Sequence, residues 1–257
     1  MTSESAASFY ERETYLDPSE KLLYDLIAPA ARSKPVLDIG VGGGRTVPAL
    51  TAISENYTAV DYSPAMIEGL APRYPKLRLL QADARDLSIL PDASFFLVVF
   101  SCAGIDMVNH VDRGRILREV RRVLMQDGAF IFSTHNWDFR KNEPDPSFWS
   151  VAVPRRSRSG LLKALRQGLR DLLRAPLRLR NYHALKHVAE RHESWAILNA
   201  RYHDYSTLMH YIALGAELEE LKTAGFSGEI LVYEGEGRPM KPGDIPRDDM
   251  MHVLVRP

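Results

Sequence analysis

The first half of the chain alternates compact apolar runs with longer stretches that are apolar on one side only. Residues 20–31 (EKLLYDLIAPAA) place Leu22, Leu23, Leu26 and Ile27 at helical spacing. PVLDIG (35–40) is a short apolar run that predicts a buried strand, and Thr46 to Ile53 predicts a helix. YTAVD (57–61) is the next strand, and Ser63-Pro64 opens a helix to about Leu70, because proline is tolerated in a first helical turn. KLRLLQAD (76–83) and SFFLVVFSC (94–102) read as strands, the second apolar on both faces as a central parallel strand is. RGRILREVRRVLM (113–125) gathers Ile116, Leu117, Val120, Val123 and Leu124 on one side of a helix. Asp127-Gly128 predicts a turn before a fifth strand, AFIFSTH (129–135).

Strand and helix thus alternate five times, which predicts an α/β fold with a doubly wound, mostly parallel sheet. The rhythm breaks over 137–210 and resumes with a helix at 217–226, stopped at Gly225, and strands at 228–234 and 250–257. The division expected is 1–136, a helical insertion over 137–212 placed as a lid between strand five and the last helix, and 213–257 completing the first unit as a seven-stranded Rossmann-like sheet. Within the insertion, Leu161, Leu162, Leu165, Leu169, Leu172 and Leu173 form one helical stripe. Lys163, Arg166, Arg170 and Arg174 form another, and Pro176 is expected to end or kink this helix.

Composition adds little until it is resolved along the chain. Over 257 residues, Lys+Arg and Asp+Glu are both 33, yet residues 155–191 hold eleven Lys/Arg against two acids. That segment suits a solvated lid face, a lipid surface touched through residues 160–174, or an acidic partner. Cys102 is the sole cysteine, which excludes an internal disulfide and fits a reducing compartment. The N-terminus has no basic flank leading into an apolar core, so a cytoplasmic location is expected. No metal-ligand set is visible.

The chemistry concentrates in VLDIGVGGG. The dinucleotide pattern G-x-G-x-x-G fails, because its third glycine falls on Arg45, whereas Asp38-x-Gly40-x-Gly42-x-Gly44 fits without a gap. With Asp61 closing the second strand (YTAVDYSPAMI) and Asp83 following the third (LLQADARDL), the chain resembles the class I S-adenosylmethionine-dependent methyltransferases. The likeness is to their small bacterial members of the methyltransferase-domain 11 or 25 type, over residues 10–136 and loosely over 207–257. The resemblance implies S-adenosyl-L-methionine as cofactor. Asp61 would accept both ribose hydroxyls and Asp83 the adenine amino group, with the Ala84 amide donating to a ring nitrogen. Gly40, Gly42 and Gly44 would admit the methionine part, Asp38 would face its ammonium, Tyr62 and Met66 would sandwich adenine, and Ser101 and Cys102 would floor the methionine end. Tyr10 and Tyr15 would close over the cofactor from an N-terminal arm, and Trp195, Tyr202, Tyr205 and Tyr211 would line an aromatic pocket.

Methyl transfer needs alignment of a nucleophile and exclusion of water, and a hydroxyl acceptor gains from a general base. His110, His135 and His203 are the candidates, His203 with Asp204 beside it. The nucleic-acid amino-methylating signature is replaced by SCAGID and no Pro-Cys nucleophile occurs, so a small molecule is the expected acceptor, oxygen before nitrogen, and nucleic acid is disfavoured. The alternative is a non-catalytic module that holds S-adenosylmethionine and docks on lipid, RNA or a protein through its basic insertion.

Overall fold

The computed structural model describes residues 15–142 and 161–257, with the backbone alone for 161–172 and Tyr202. Its centre is one sheet. Strands β1 (Val36–Ile39), β2 (Tyr57–Asp61), β3 (Arg78–Gln81), β4 (Phe95–Phe100) and β5 (Leu124–Asn136) run parallel in the order β5-β4-β1-β2-β3. Two later strands, β9 (Ile230–Glu234) and β11 (Met250–Val255), extend it beyond β5, where β11 is antiparallel to both neighbours. Strand order reverses between β1 and β4, and a doubly wound sheet opens its ligand crevice at such a point.

Helices cover both faces because each strand is apolar on both. On one side α1 (Pro18–Ala31), α2 (Val47–Ile53) and α3 (Pro64–Leu70) bury Leu23, Ile27, Val47, Leu50 and Leu70 against Val36, Leu97 and Val99. On the other, α4 (His110–Val123) and α7 (Leu214–Thr223) bury Ile116, Leu117, Val120, Leu214 and Leu221 against Leu37, Val98, Phe130 and Val253. The side chain of Asn109 accepts from the Asp112 amide at 2.9 Å, so α4 starts three residues before its predicted first residue.

Three expectations are corrected. Asp127-Gly128 is no turn between elements. Strand β5 is continuous through it, with a bulge that lets Phe95 face Leu124 and Leu97 face Ala129. Gly128 is needed there because a Cβ would lie 2.6 Å from the Phe96 carbonyl. Pro176 does not end its helix. α6 spans Leu161–Leu185, with Ala175 and Arg178 buried and Arg174 and Arg178 bonded to Asp204 at 2.9 and 2.8 Å. Those contacts offset a proline cost of about 3 kcal/mol.

The third correction concerns the sheet. Among the described residues it has eleven strands rather than seven. Two-residue strands β6 (Glu190–Arg191) and β10 (Arg238–Pro239) account for part of the excess. The insertion supplies a hairpin, β7 (Trp195–Asn199) with β8 (Leu208–Ile212), and β8 pairs parallel to His135 and Asn136 at the end of β5. It takes the lane that β4 vacates at Phe100. Of the predicted leucine and basic stripes, only Leu173, which is exposed, and Arg174 have described side chains; the rest, like Tyr10 and the side chain of Tyr202, lie outside those described. Among the described residues no helix is long and apolar enough to cross a membrane.

Asp38, on β1, is wholly inside. Its Oδ2 accepts from Thr46 Oγ1 at 2.5 Å and from Tyr57 Oη at 2.7 Å, which ties the loop after β1 to the sheet. Burial pushes its carboxyl up to about 6 despite both hydroxyls. A folded-state value above the ordinary 3.8 means that its contribution is present below pH 3.8 and lost as pH rises through about 6. By pH 7.5 the loss is about 3 kcal/mol. Asp38→Asn, whose amide oxygen accepts the same hydroxyls, is expected to melt several degrees above the parent at pH 7.5, with the gap closing at pH 4.5. Thermal unfolding followed by circular dichroism at both pH values checks this.

Candidate functional site

The loop from Gly40 to Gly44 turns directly off β1 at the order reversal. Gly40 takes φ +65°, and a Cβ there would meet the Phe100 ring at 2.8 Å, so this residue lets the loop press on the end of β4. Gly42, at φ +50°, differs. The nearest atom to a Cβ built on it is 3.9 Å away, so its face is open, a cradle that any side chain would fill. Gly44 packs against Leu70 of α3.

Asp61 ends β2 beside this cradle. It is buried, its Oδ2 accepts the Gly42 amide at 2.9 Å and its Oδ1 the Ser63 amide at 2.9 Å. Each oxygen keeps a lone pair for a further donor, which is what a vicinal diol offers. The two backbone bonds hold the carboxylate at the mouth of the loop. Tyr62 follows with its ring 74% exposed, and Met66 is half-buried on α3. These positions fit a nucleoside lying from the loop toward α3. Asp38 is not at the rim; both donors to its Oδ2 are protein hydroxyls. Asp83 lies at the crevice edge but is engaged by Arg85, whose guanidinium holds it below the usual carboxylate value. The third nitrogen of Arg85, Nη1, reaches Asp112 at 3.0 Å. Ala84 follows, half-buried against the core.

At the end of β4, Ser101 donates to Glu20 Oε1 at 2.6 Å and lies 2.9 Å from the Tyr24 hydroxyl. Glu20 also takes both terminal nitrogens of Arg45, at 2.7 and 2.8 Å. Burial pushes the Glu20 carboxyl up, but Arg45 outweighs it and keeps the group below its ordinary 4.5. Arg45 further donates to the Tyr15 carbonyl at 2.9 Å. An ion pair therefore bolts α1 across the glycine loop, and Tyr15 reaches the loop through its backbone. Glu20 was not visible as a site residue in sequence, since it sits on a helix whose pattern is explained by leucines. Next along, Cys102 and Ala103 both adopt left-handed backbone, φ +53° and +51°, and the Ala103 amide donates to Ser133 Oγ at 2.8 Å. Strain of this kind persists only where neighbours pin it.

Asp106 was missed as well. It is fully buried and accepts from Arg113 and Thr134 at 2.7 Å, from the His135 amide at 2.7 Å and from His135 Nδ1 at 2.8 Å. His135 is thus held at the end of β5 with its ring 4.9 Å from that of Tyr211. Burial pulls its imidazole down, but the hydrogen bond and charge of Asp106 win and raise it above the ordinary 6.5. His203 moves the other way, lowered by burial and by the charge of His135. Asp204 does not orient an imidazole as expected; it is taken by Arg174 and Arg178. His110 stands apart from these two, stacked on Trp195 at 4.2 Å and bonded at 3.1 Å to His210 and to Glu220. Trp195 therefore packs between imidazoles, with His192 at 3.8 Å, while Tyr205 and Tyr211 are buried.

Residues 37–132 match a family model described as a methyltransferase domain. The probable S-adenosylmethionine-dependent methyltransferase Rv3030 of Mycobacterium tuberculosis is 30% identical over 137 residues, 53% of this chain and 48% of that protein. The malonyl-[acyl-carrier protein] O-methyltransferase of Halorhodospira halophila is 32% identical over 51% of this chain and 45% of that one. The chain thus spans about half the length of the curated relatives it matches. An S-adenosylmethionine-dependent methyltransferase from Mesorhizobium loti shares the fold with a TM-score of 0.58 at 19% identity, over 93% of this chain and 98% of that one. Asp61 and Asp83 thus lie beside the glycine loop inside the segment that matches the methyltransferase domain, over which the chain is similar to S-adenosylmethionine-dependent methyltransferases and with which it shares their fold.

Proposed function

We propose that the chain transfers a methyl group from S-adenosylmethionine to an oxygen of a small-molecule acceptor. The observation that carries the reading is the pairing of the Asp61 carboxylate with the open face of Gly42. The sulfonium supplies an electrophilic methyl with a neutral thioether as leaving group. Asp61 holds the ribose hydroxyls, Tyr62 and Met66 flank the adenine, and Gly42 leaves room for the chain toward the sulfur. The Arg45–Glu20 pair, between α1 and the glycine loop and bonded to Ser101 at the end of β4, holds the loop beside the zwitterionic end. Ala103 and Cys102 form the floor beyond.

Oxygen is favoured over nitrogen by the imidazole pair. Environments that drive two titratable groups apart mark acid and base roles. His203, lowered by burial and by the charge of His135, takes the proton of the acceptor hydroxyl, while His135, fixed by Asp106 and raised above the ordinary imidazole value by it, donates toward the oxygen as it loses that proton. The Halorhodospira relative, named an O-methyltransferase, agrees in acceptor atom. His110, packed under Trp195, has no part in this scheme.

Asp61→Ala is expected to weaken binding of S-adenosylhomocysteine about tenfold or more, because buried hydroxyls lose their acceptor. Gly42→Ala is expected to do the same and to lower the melting temperature by a few degrees, since its Cβ meets no described atom closer than 3.9 Å but the residue keeps φ +50°, a left-handed conformation that costs a non-glycine residue about 1–2 kcal/mol. Calorimetric titration reads both, and unchanged affinities would remove the crevice from the mechanism. With a hydroxyl acceptor found from a metabolite panel, kcat should fall as pH drops through a value below 6.5, where His203 becomes protonated. His203→Asn should lower kcat at least tenfold and abolish that limb while cofactor affinity holds. A pH–rate profile of the two proteins checks it.

A further inference from the structure

Residues of the insertion line a cavity of about 290 Å³. Its described walls include Arg140, Lys186 and Arg191, the phenols Tyr182 and Tyr205, and Asn199. Three walls are cationic, and among the described wall residues there is no carboxylate. Arg140 is 7% exposed and lies five residues beyond His135, at the end of the short helix α5 (Trp137–Arg140). Arg191 sits over the Trp137 ring at 5.9 Å, a contact that retains its positive charge. The cavity borders the reaction site in two ways. Asn199 and Tyr205 flank the turn that carries His203. Tyr211, in ring contact with His135, feels the charge of Arg140.

The wall is also built rigidly. Asp204 and Tyr205 both take left-handed backbone, φ +49° and +60°. The turn is pinned by Asn199 and Asn181, each donating at 3.0 Å to the carbonyls of Tyr205 and Asp204, and by Arg174 and Arg178 on Asp204. Tyr182 meets Tyr205 edge-on at 5.9 Å. A cavity lined by cationic side chains with hydroxyl and amide donors suits a small organic anion, and its volume is at the lower end for a small-molecule site.

We propose that this cavity holds the carboxylate or phosphate end of the methyl acceptor, so that its hydroxyl reaches His203. The inference rests on the methyltransferase reading for its purpose and not for its measurement. Binding of sodium malonate and of inorganic phosphate is titrated calorimetrically on the full chain at constant ionic strength, with chloride as the reference. S-adenosylhomocysteine is titrated separately. At least one of the two anions should bind, and which one separates carboxylate from phosphate. Arg140→Gln should weaken that binding at least tenfold and Lys186→Glu at least fivefold, with the affinity for S-adenosylhomocysteine within twofold of the parent. Lys186 is exposed, so its variant reports even if Arg140→Gln does not fold. Binding of neither anion above chloride, or equal binding by parent and Lys186→Glu, overturns the proposal while leaving cofactor binding to stand. Failure to bind S-adenosylhomocysteine with anion binding intact overturns the proposed function instead.

Discussion

A carboxylate and a guanidinium with no access to water, Asp106 and Arg113, fix the geometry on which the rest depends. Such a pair is a poor source of net stability, because desolvation consumes most of the attraction. Its worth is positional. Asp106 collects donors from α4, from two successive residues of β5 and from one imidazole, so the turn after β4 and the tip of β5 share one register. Arg113 in turn bonds Glu217 and Glu220 of α7. Burial lifts Glu217 to about 7, against the pull of Arg113, so near neutrality this acid is partly protonated and excess negative charge is relieved. His210, also buried beside this cluster, is pushed down to about 3, so it stays neutral.

The glycine loop depends on a second, smaller device of the same type. Glu20 and Arg45 meet between α1 and the loop, and Asp38 fastens the loop from below through Thr46. The cradle at Gly42 is therefore held from two sides, with no described atom closer than 3.9 Å to a Cβ built there. Preorganisation of this kind spares the ordering cost on binding.

Periodicity made most of the sheet legible. Strands that are apolar on both faces and helices with one apolar stripe leave few alternatives, and β2 and α3 have the predicted bounds. Asp61, Gly42 and Tyr62 were legible because each has a fixed offset from a strand end. Glu20, Asp106 and Arg113 were not, since the partners that tie them to other elements, Arg45, Thr134 and Glu220, lie 25 to 107 residues away and no local spacing encodes such pairs. Asp127-Gly128 misled because a bulge and a turn use the same residues. The β7–β8 hairpin hid behind aromatics that read equally well as pocket lining, and Pro176 was read locally although tertiary contacts to Asp204 decide the outcome.

The pairing of β8 with the last two residues of β5 has a topological consequence. The β7–β8 hairpin of the insertion is sewn into the same hydrogen-bonded fabric as the end of β5. A hairpin sewn in this way cannot hinge open as a separate flap without unpicking main-chain bonds beside His135. Any exchange of the insertion between related chains must therefore preserve that two-residue seam.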